Sequence, residues 1–210
     1  MKAYRLNLTV IISAVGIFTL LVFSLILFVF QKATTHDIFD IITSYGYLIA
    51  PASIAWVFTN RYLWHTKLFQ AIRKSANIPP DLRGRWEGEL HNLENGHTQK
   101  FAIEVKQTLT TLSVFSYSSL GRSVSLLPEI AKSENERTFS LCYLWQGETQ
   151  TPMKHVHQRI TFNGYTILKL HEHEKPKILK GFYFTSHKPK QTRGRIELTW
   201  VSKHLKKKLE

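Results

Sequence analysis

Two long apolar runs constrain this chain more than any other feature. Leu6–Phe30 is 25 residues without a charged side chain, and Ile38–Phe58 is 21 residues with one acid, Asp40, near its start. About 20 apolar helical residues cross the hydrocarbon core of a bilayer. The first run is too long for an ordinary signal peptide, and no small-residue cleavage pattern follows it. Only Gln31–Asp37 joins the two runs. This predicts a hairpin of two transmembrane helices, about 6–30 and 38–58. A buried core helix is the alternative for the second run.

The flanking charges orient the hairpin. Lys2 and Arg5 precede the first run; Arg61, Lys67, Arg73 and Lys74 follow the second. The connection carries only Lys32, beside Asp37. Lys and Arg stay on the cytoplasmic side, so both termini, and everything after Phe58, are expected in the cytoplasm. Trp56, Tyr62 and Trp64 fit an aromatic belt at the interface. A lone cysteine, Cys142, excludes an intrachain disulfide and suits a reducing compartment. The formal net charge is +13; residues 76–210, with 21 basic against 13 acidic side chains, contribute +8 of it. A basic cytosolic portion suits an anionic leaflet or a phosphate-bearing ligand. A nucleic-acid polymer is a poorer fit for a tethered chain.

Residues 60–75, NRYLWHTKLFQAIRKS, are expected to extend the second helix, with Leu68 and Ile72 one turn apart. Ile78-Pro79-Pro80 ends it, because proline cannot continue a helix and extends its predecessor. The expected divisions are therefore 1–59 for the spans, 60–80 for a juxtamembrane helix and linker, 81–203 for a cytosolic domain, and 204–210 for a basic tail. Beyond Leu82 the period changes to two. Phe101, Ile103 and Val105 alternate with Ala102, Glu104 and Lys106; Ile196, Leu198 and Trp200 alternate with Arg195, Glu197 and Thr199. Similar runs lie near 84–92, 112–118, 121–131, 139–145, 155–162, 164–172 and 178–186. About nine β segments at this spacing indicate a sandwich or barrel.

The first segment, LRGRWEGEL from Leu82 to Leu90, sharpens the choice. Trp86 and Leu90 share an inward face, while Glu87 and Glu89 face water. A glycine–x–tryptophan opening ahead of an all-β domain resembles the first strand of the lipocalins. The expected fold is a two-helix transmembrane hairpin followed by a lipocalin-like antiparallel β-barrel of about eight strands, a membrane α plus all-β chain. By that resemblance Arg193 or Arg195 would cap Trp86 through a cation–π contact.

The barrel half carries little catalytic chemistry. His155-Val156-His157 and His171-Glu172-His173 could hold a metal from one strand face, but both lie in charged segments where solvated histidine is the simpler reading. Cys142 sits among apolar residues and reads as core. No nucleophile triad, phosphate loop or dinucleotide fingerprint is present. What stands out is a polarity switch inside strands. Leu112 and Val114 share a face with Ser116 and Ser118; Phe101, Ile103 and Val105 share one with Gln107; Phe139 and Leu141 share one with Tyr143 and Trp145. An inward face that turns polar describes a barrel packed at one end and hollow at the other. Arg122 and Ser123 add to the polar set. Aromatic faces, hydroxyls and arginine suit a ligand with bases to stack and phosphates to hold.

The chain also resembles the two-transmembrane β-barrel effectors of bacterial CBASS, cyclic-oligonucleotide-based antiphage signalling. The matching text includes LRGRWEGEL, Gln107 in VKQT, SYSSLGRSVS at 116–125, CYLW at 142–145, FNGYTILKL at 162–170 and LKGFYFTSHKPKQTRG at 179–194. In the last, Leu179, Gly181, Tyr183, Thr185, Thr192 and Gly194 fit the family pattern, and His187 stands where the family has arginine. The resemblance implies no enzyme and no cofactor. It implies a barrel that binds a cyclic dinucleotide made by a partner nucleotidyltransferase, then oligomerisation and disruption of the inner membrane, which kills the infected cell. Tyr183, Thr185 and Arg193 join the candidate ligand contacts on this basis. The competing readings are a tethered binder of a small apolar molecule and a protein-recruiting anchor.

Overall fold

The computed structural model describes residues 2–3, 16–17, 53–66, 79–119, 121–132, 138–149, 161–171, 173–186 and 191–209. The chain divides into two units: residues 1–4, 80–107 and 111–210 form one, and residues 5–79 and 108–110 the other.

The larger unit is a closed, eight-stranded antiparallel barrel. A two-residue strand, β1 (Lys2–Ala3), pairs on its edge with Lys132 and Ala131. The barrel strands follow in chain order: β2 (Gly84–Asn92), β3 (Thr98–Gln107), β4 (Leu112–Ser118), β5 (Gly121–Lys132), β6 (Phe139–Thr149), β7 (Thr161–His171), β8 (Ile178–Thr185) and β9 (Arg193–Ser202). Each pairs with its sequence neighbour, and β2 pairs with β9, which closes the ring. β4 pairs with β5 only as far as Val124, and β1 joins β5 beyond it, at Ala131 and Lys132. The expected count of about nine β segments resolves into these eight strands. Of the segment expected at 155–162, residues 161–162 begin β7, and 155–160 lie outside the described residues.

Alternation decides what fills the barrel. Trp86, Ile103, Val114, Leu141, Leu168 and Leu198 point inward and are buried. Trp86 pairs in register with Ile103 on one side and Trp200 on the other. The entering segment Pro80–Arg83 closes this end. The Gln107 amide donates to Pro80 O at 3.0 Å, and its carbonyl accepts the Leu82 N–H at 2.9 Å. Trp86 Nε1 donates to Leu82 O at 2.9 Å, and Trp200 Nε1 to Arg83 O at 3.1 Å. Gly84 makes the turn into β2 with φ +115°, and a Cβ there would lie 2.2 Å from Ser202 O. Only glycine fits such a conformation and approach.

The arginine cap expected on Trp86 is not formed. Arg193 and Arg195 sit at outward positions of β9; Arg193 reaches Glu94 at 3.5 Å and is 67 % exposed. Strand parity explains this, since Gly194 and Ile196 take the inward places. The arginine that is buried is Arg85, on the outer wall. Its Nη1 donates to Glu104 at 2.9 Å, Nε donates to Glu87, and the guanidinium lies over the Tyr117 ring at 5.9 Å. The backbone N–H groups of Lys206 and Lys207 also donate to Glu104, at 2.6 and 2.8 Å. The backbone of the basic tail thus folds back over this ion pair, while the side chains of Lys206, Lys207 and Lys208 stay exposed.

In the smaller unit, an α-helical stretch at 53–58 widens into a π-helical turn, Thr59–Leu63, with Trp64 N–H bonded to Thr59 O at 3.2 Å. Trp64 and Thr66 lie in the turn that follows. The helix expected over 60–75 thus leaves α geometry at Thr59, and 67–78 lie outside the described residues. Asn60 accepts the N–H of Leu109 on its carbonyl oxygen at 3.0 Å and the N–H of Thr110 on Oδ1 at 3.1 Å. Among the described residues no helix is long and apolar enough to cross a membrane. Apart from 16–17 and 53–58, the expected spans lie outside those residues.

Candidate functional site at the open end of the barrel

Opposite the Pro80–Gln107 clamp, the barrel encloses a cavity of about 300 Å³. Three aromatic rings shape it, each made possible by a glycine across the ladder. Trp145 pairs with Gly164, where a Cβ would lie 2.2 Å from the indole Cζ2. Tyr183 pairs with Gly194, where a Cβ would lie 2.3 Å from the phenol ring. Phe162 pairs with Gly147 at 3.1 Å and meets Trp145 edge to face, centroids 5.6 Å apart. The rings therefore lie against the wall and leave the lumen open. A side chain at either of the first two glycines would push its ring inward.

Hydroxyls line the space between the rings. Trp145 Nε1 donates to Thr166 Oγ1 at 3.0 Å. Thr185 and Thr192 form a clasp at the mouth: Oγ1 to Oγ1 is 2.7 Å, and Thr192 N–H donates to Thr185 Oγ1 at 3.0 Å. Ser116 pairs with Ser123 across β4 and β5, and Ser118 with Gly121. Tyr143, 1 % exposed, points its hydroxyl into this region with no hydrogen bond of good geometry. The Ser116 and Thr166 hydroxyls are near enough to act on it but do not satisfy it. Burial pushes the Tyr143 phenol up, only partly offset by those two hydroxyls, and burial also raises Tyr183. Both phenols are therefore neutral donors at physiological pH. Among the described lining residues there is no carboxylate, and the one charged side chain is Arg122, at the rim.

The candidate contacts separate by position. Ser116, Ser118, Arg122, Ser123, Tyr143, Trp145, Tyr183 and Thr185 all line the cavity. Gln107 does not; it belongs to the clamp at the closed end, and its polarity serves the backbone of 80–82. Arg193 does not either, because its strand parity turns it outward. Phe162, Thr166 and Thr192 line the cavity without having been singled out as contacts. Thr192 was within the matched motif. Thr166 and Phe162 share an inward parity with Gly164, which is visible in the sequence once the strand register is known.

Other candidates fall away from the cavity. Cys142 is buried, as expected, but on the outward side of β6 opposite Ile167, and burial raises its thiol despite help from Tyr165. His171 is part-exposed beside Glu174 at 3.8 Å; His155, His157 and Glu172 lie outside the described residues. No group of three metal-ligating side chains occurs among the described residues.

The described lining offers stacking faces, neutral donors and a rim cation. No match is found among curated proteins. The family model described as "Cap15, cyclic dinucleotide receptor domain" matches residues 77–200, which takes in every barrel strand from β2 through most of β9. With that match over more than half of its length, the chain belongs to the Cap15 cyclic dinucleotide receptor family of CBASS effectors.

Proposed function

We propose that the cavity at the open end is the binding site for a cyclic dinucleotide supplied by a partner nucleotidyltransferase. One observation carries the assignment: the lining holds aromatic faces, neutral hydroxyls and one arginine, and no carboxylate among its described residues. A cyclic dinucleotide offers two bases for Trp145, Phe162 and Tyr183 to stack on. Its two phosphodiesters are anions, which a carboxylate would repel and Arg122 attracts. The unpaired Tyr143 hydroxyl supplies a donor that is already desolvated. Membership of a cyclic dinucleotide receptor family supports the same reading. A small apolar ligand would leave the Tyr143 hydroxyl unpaired, at a cost of about 1–3 kcal/mol.

The rest of the effector mechanism belongs to this proposal. The N-terminal runs 6–30 and 38–58 form a two-span hairpin in the inner membrane, with both termini cytoplasmic. Ligand binding gathers the barrels, self-association concentrates the spans, and the bilayer is breached. Supporting this are the runs themselves, the cytoplasmic Lys/Arg bias, and small residues Gly46, Ala50, Ala52, Ser53 and Ala55 that favour close helix packing. The test is calorimetry of the full chain in detergent against a panel of cyclic dinucleotides. Saturable heat with at least one of them is expected, weakening as salt rises. No heat and no thermal shift across the panel removes the reading.

A further inference from the structure

Strand β8 faces two ways. Its inward residues Tyr183 and Thr185 line the cavity, while Phe182 and Phe184 between and beside them project outward, each 48 % exposed. In the ladder Phe182 pairs with Arg195 and Phe184 with Arg193. The outer wall at the β8–β9 seam is therefore two phenyl rings edged by two arginines. Among the described residues Arg195 has no ion-pair partner.

On β5 the wall has the opposite character. A bulge between Ser125 and Leu127 breaks the alternation, and both Leu126 and Leu127 are left exposed, at 48 % and 71 %. One residue beyond Pro128 stands Glu129, exposed and also without an ion-pair partner among the described residues. Bulges re-aim side chains, and this one turns an apolar pair outward beside an acid. Ser123 and Ser125 on the same strand face inward, and Ser123 lines the cavity.

These two patches are apolar and of opposite charge, and they sit on different strands of one closed barrel. We infer that they are the two halves of a head-to-tail contact between copies of this chain: Phe182, Phe184 and Arg195 of one barrel against Leu126, Leu127 and Glu129 of the next. Charge complementarity selects a second copy as the occupant, because both signs are supplied by the same molecule. A contact between unlike patches does not close on itself in a pair, so it extends into rings or open rows. Each patch shares a strand with cavity-lining residues, which gives ligand a short path to the contact. The inference rests on the proposed function for its purpose but not for its geometry.

The experiment uses the full chain in detergent, in a Cys142→Ser background, as two differently tagged variants, Leu127→Cys and Phe182→Cys. Mixed and treated with a short bismaleimide, with and without cyclic di-GMP or cyclic di-AMP, they should cross-link to each other far more than either does to itself. Separately, Glu129→Arg and Arg195→Glu should each raise the concentration for half-association about tenfold or more, as interface hot spots do. Combining them should restore it. Far-ultraviolet circular dichroism checks that each variant is folded. Equal self- and cross-linking, no cross-link in any condition, or charge reversals without effect overturn the inference. So does quenching of a fluorophore on Phe182→Cys by brominated lipid without any cross-link, which would assign the face to the bilayer. Calorimetry on the same samples reads nucleotide binding independently: cross-linking without binding sinks the proposed ligand, and binding without cross-linking sinks this contact.

Discussion

Tyr143 and Glu104 show the two ways this barrel handles a buried polar group. Tyr143 keeps a desolvated hydroxyl with no partner of good geometry. Removing an unsatisfied buried hydroxyl relieves its desolvation cost, so Tyr143→Phe should leave stability unchanged or raise it by about 1 kcal/mol. The same variant should bind the cyclic dinucleotide about tenfold more weakly, the worth of one lost hydrogen bond. Thermal melts and calorimetry read the two effects separately, and a melt that drops sharply would mean the hydroxyl is structural. Glu104 is the opposite case. Burial alone would push its carboxyl up, but the Lys207 N–H, Arg85 and the Lys206 N–H outweigh that and hold it below the ordinary range. Between the lowered folded value and the unfolded value of about 4.3, only the unfolded chain binds the proton. Stability therefore rises with pH in that window and is fully present above it. Wild type should lose stability as pH falls through the window. Glu104→Gln should lose up to about 3 kcal/mol at neutral pH, because the buried Arg85 keeps only the partly exposed Glu87 as a counter-charge, and should show a flatter acid limb in urea unfolding followed across pH.

At the scale of a strand, the pocket is made by glycines as much as by aromatics. Gly164→Ala would place a Cβ 2.2 Å from Trp145 Cζ2 and 2.5 Å from Phe184 O. The indole must swing into the lumen, and β7 and β8 must part slightly. Overpacking of this kind costs about 1–3 kcal/mol, and the cavity loses its stacking wall. The expected result is a lowered but cooperative melt with nucleotide binding abolished; retained binding would show that Trp145 does not define the site. The strands themselves were legible from period-two alternation, and the inward faces of Trp86, Tyr143 and Tyr183 follow from parity alone. Four features were not. The Gly164–Trp145 pairing depends on register between strands, which one sequence does not state. Gln107 has the same inward parity as Val105, yet it meets the entering backbone of Pro80–Leu82, a contact set by how the chain enters the barrel. Arg193 carries the right chemistry on the wrong parity. The tail's return to Glu104 has no periodic signature at all, since it is made by backbone N–H groups.

In the proposed function the whole molecule joins a nucleotide-binding cavity to two apolar runs that enter a bilayer, so the signal travels as association and not as chemistry. Raising the local concentration of tethered spans is enough to drive their packing without any new contact between them. Two helices with a short turn bury little surface alone, and in lipid their association depends on close approach at small residues and on polar groups. In the proposed second span Pro51 would leave a backbone carbonyl unpaired, and Asp40, near the start of the run, would lie toward one end. The full chain reconstituted in dye-loaded vesicles should therefore leak only when a cyclic dinucleotide that binds in calorimetry is present. Tyr143→Phe should shift the half-maximal nucleotide concentration upward by the same factor as its affinity, because it acts on binding. Phe182→Asp should leave binding intact and reduce leakage at every nucleotide concentration, because it acts on association. Leakage that ignores nucleotide would separate the spans from the barrel's signal. Leakage with no change in oligomer size, measured by cross-linking the same vesicles, would replace clustering with a change inside a single chain.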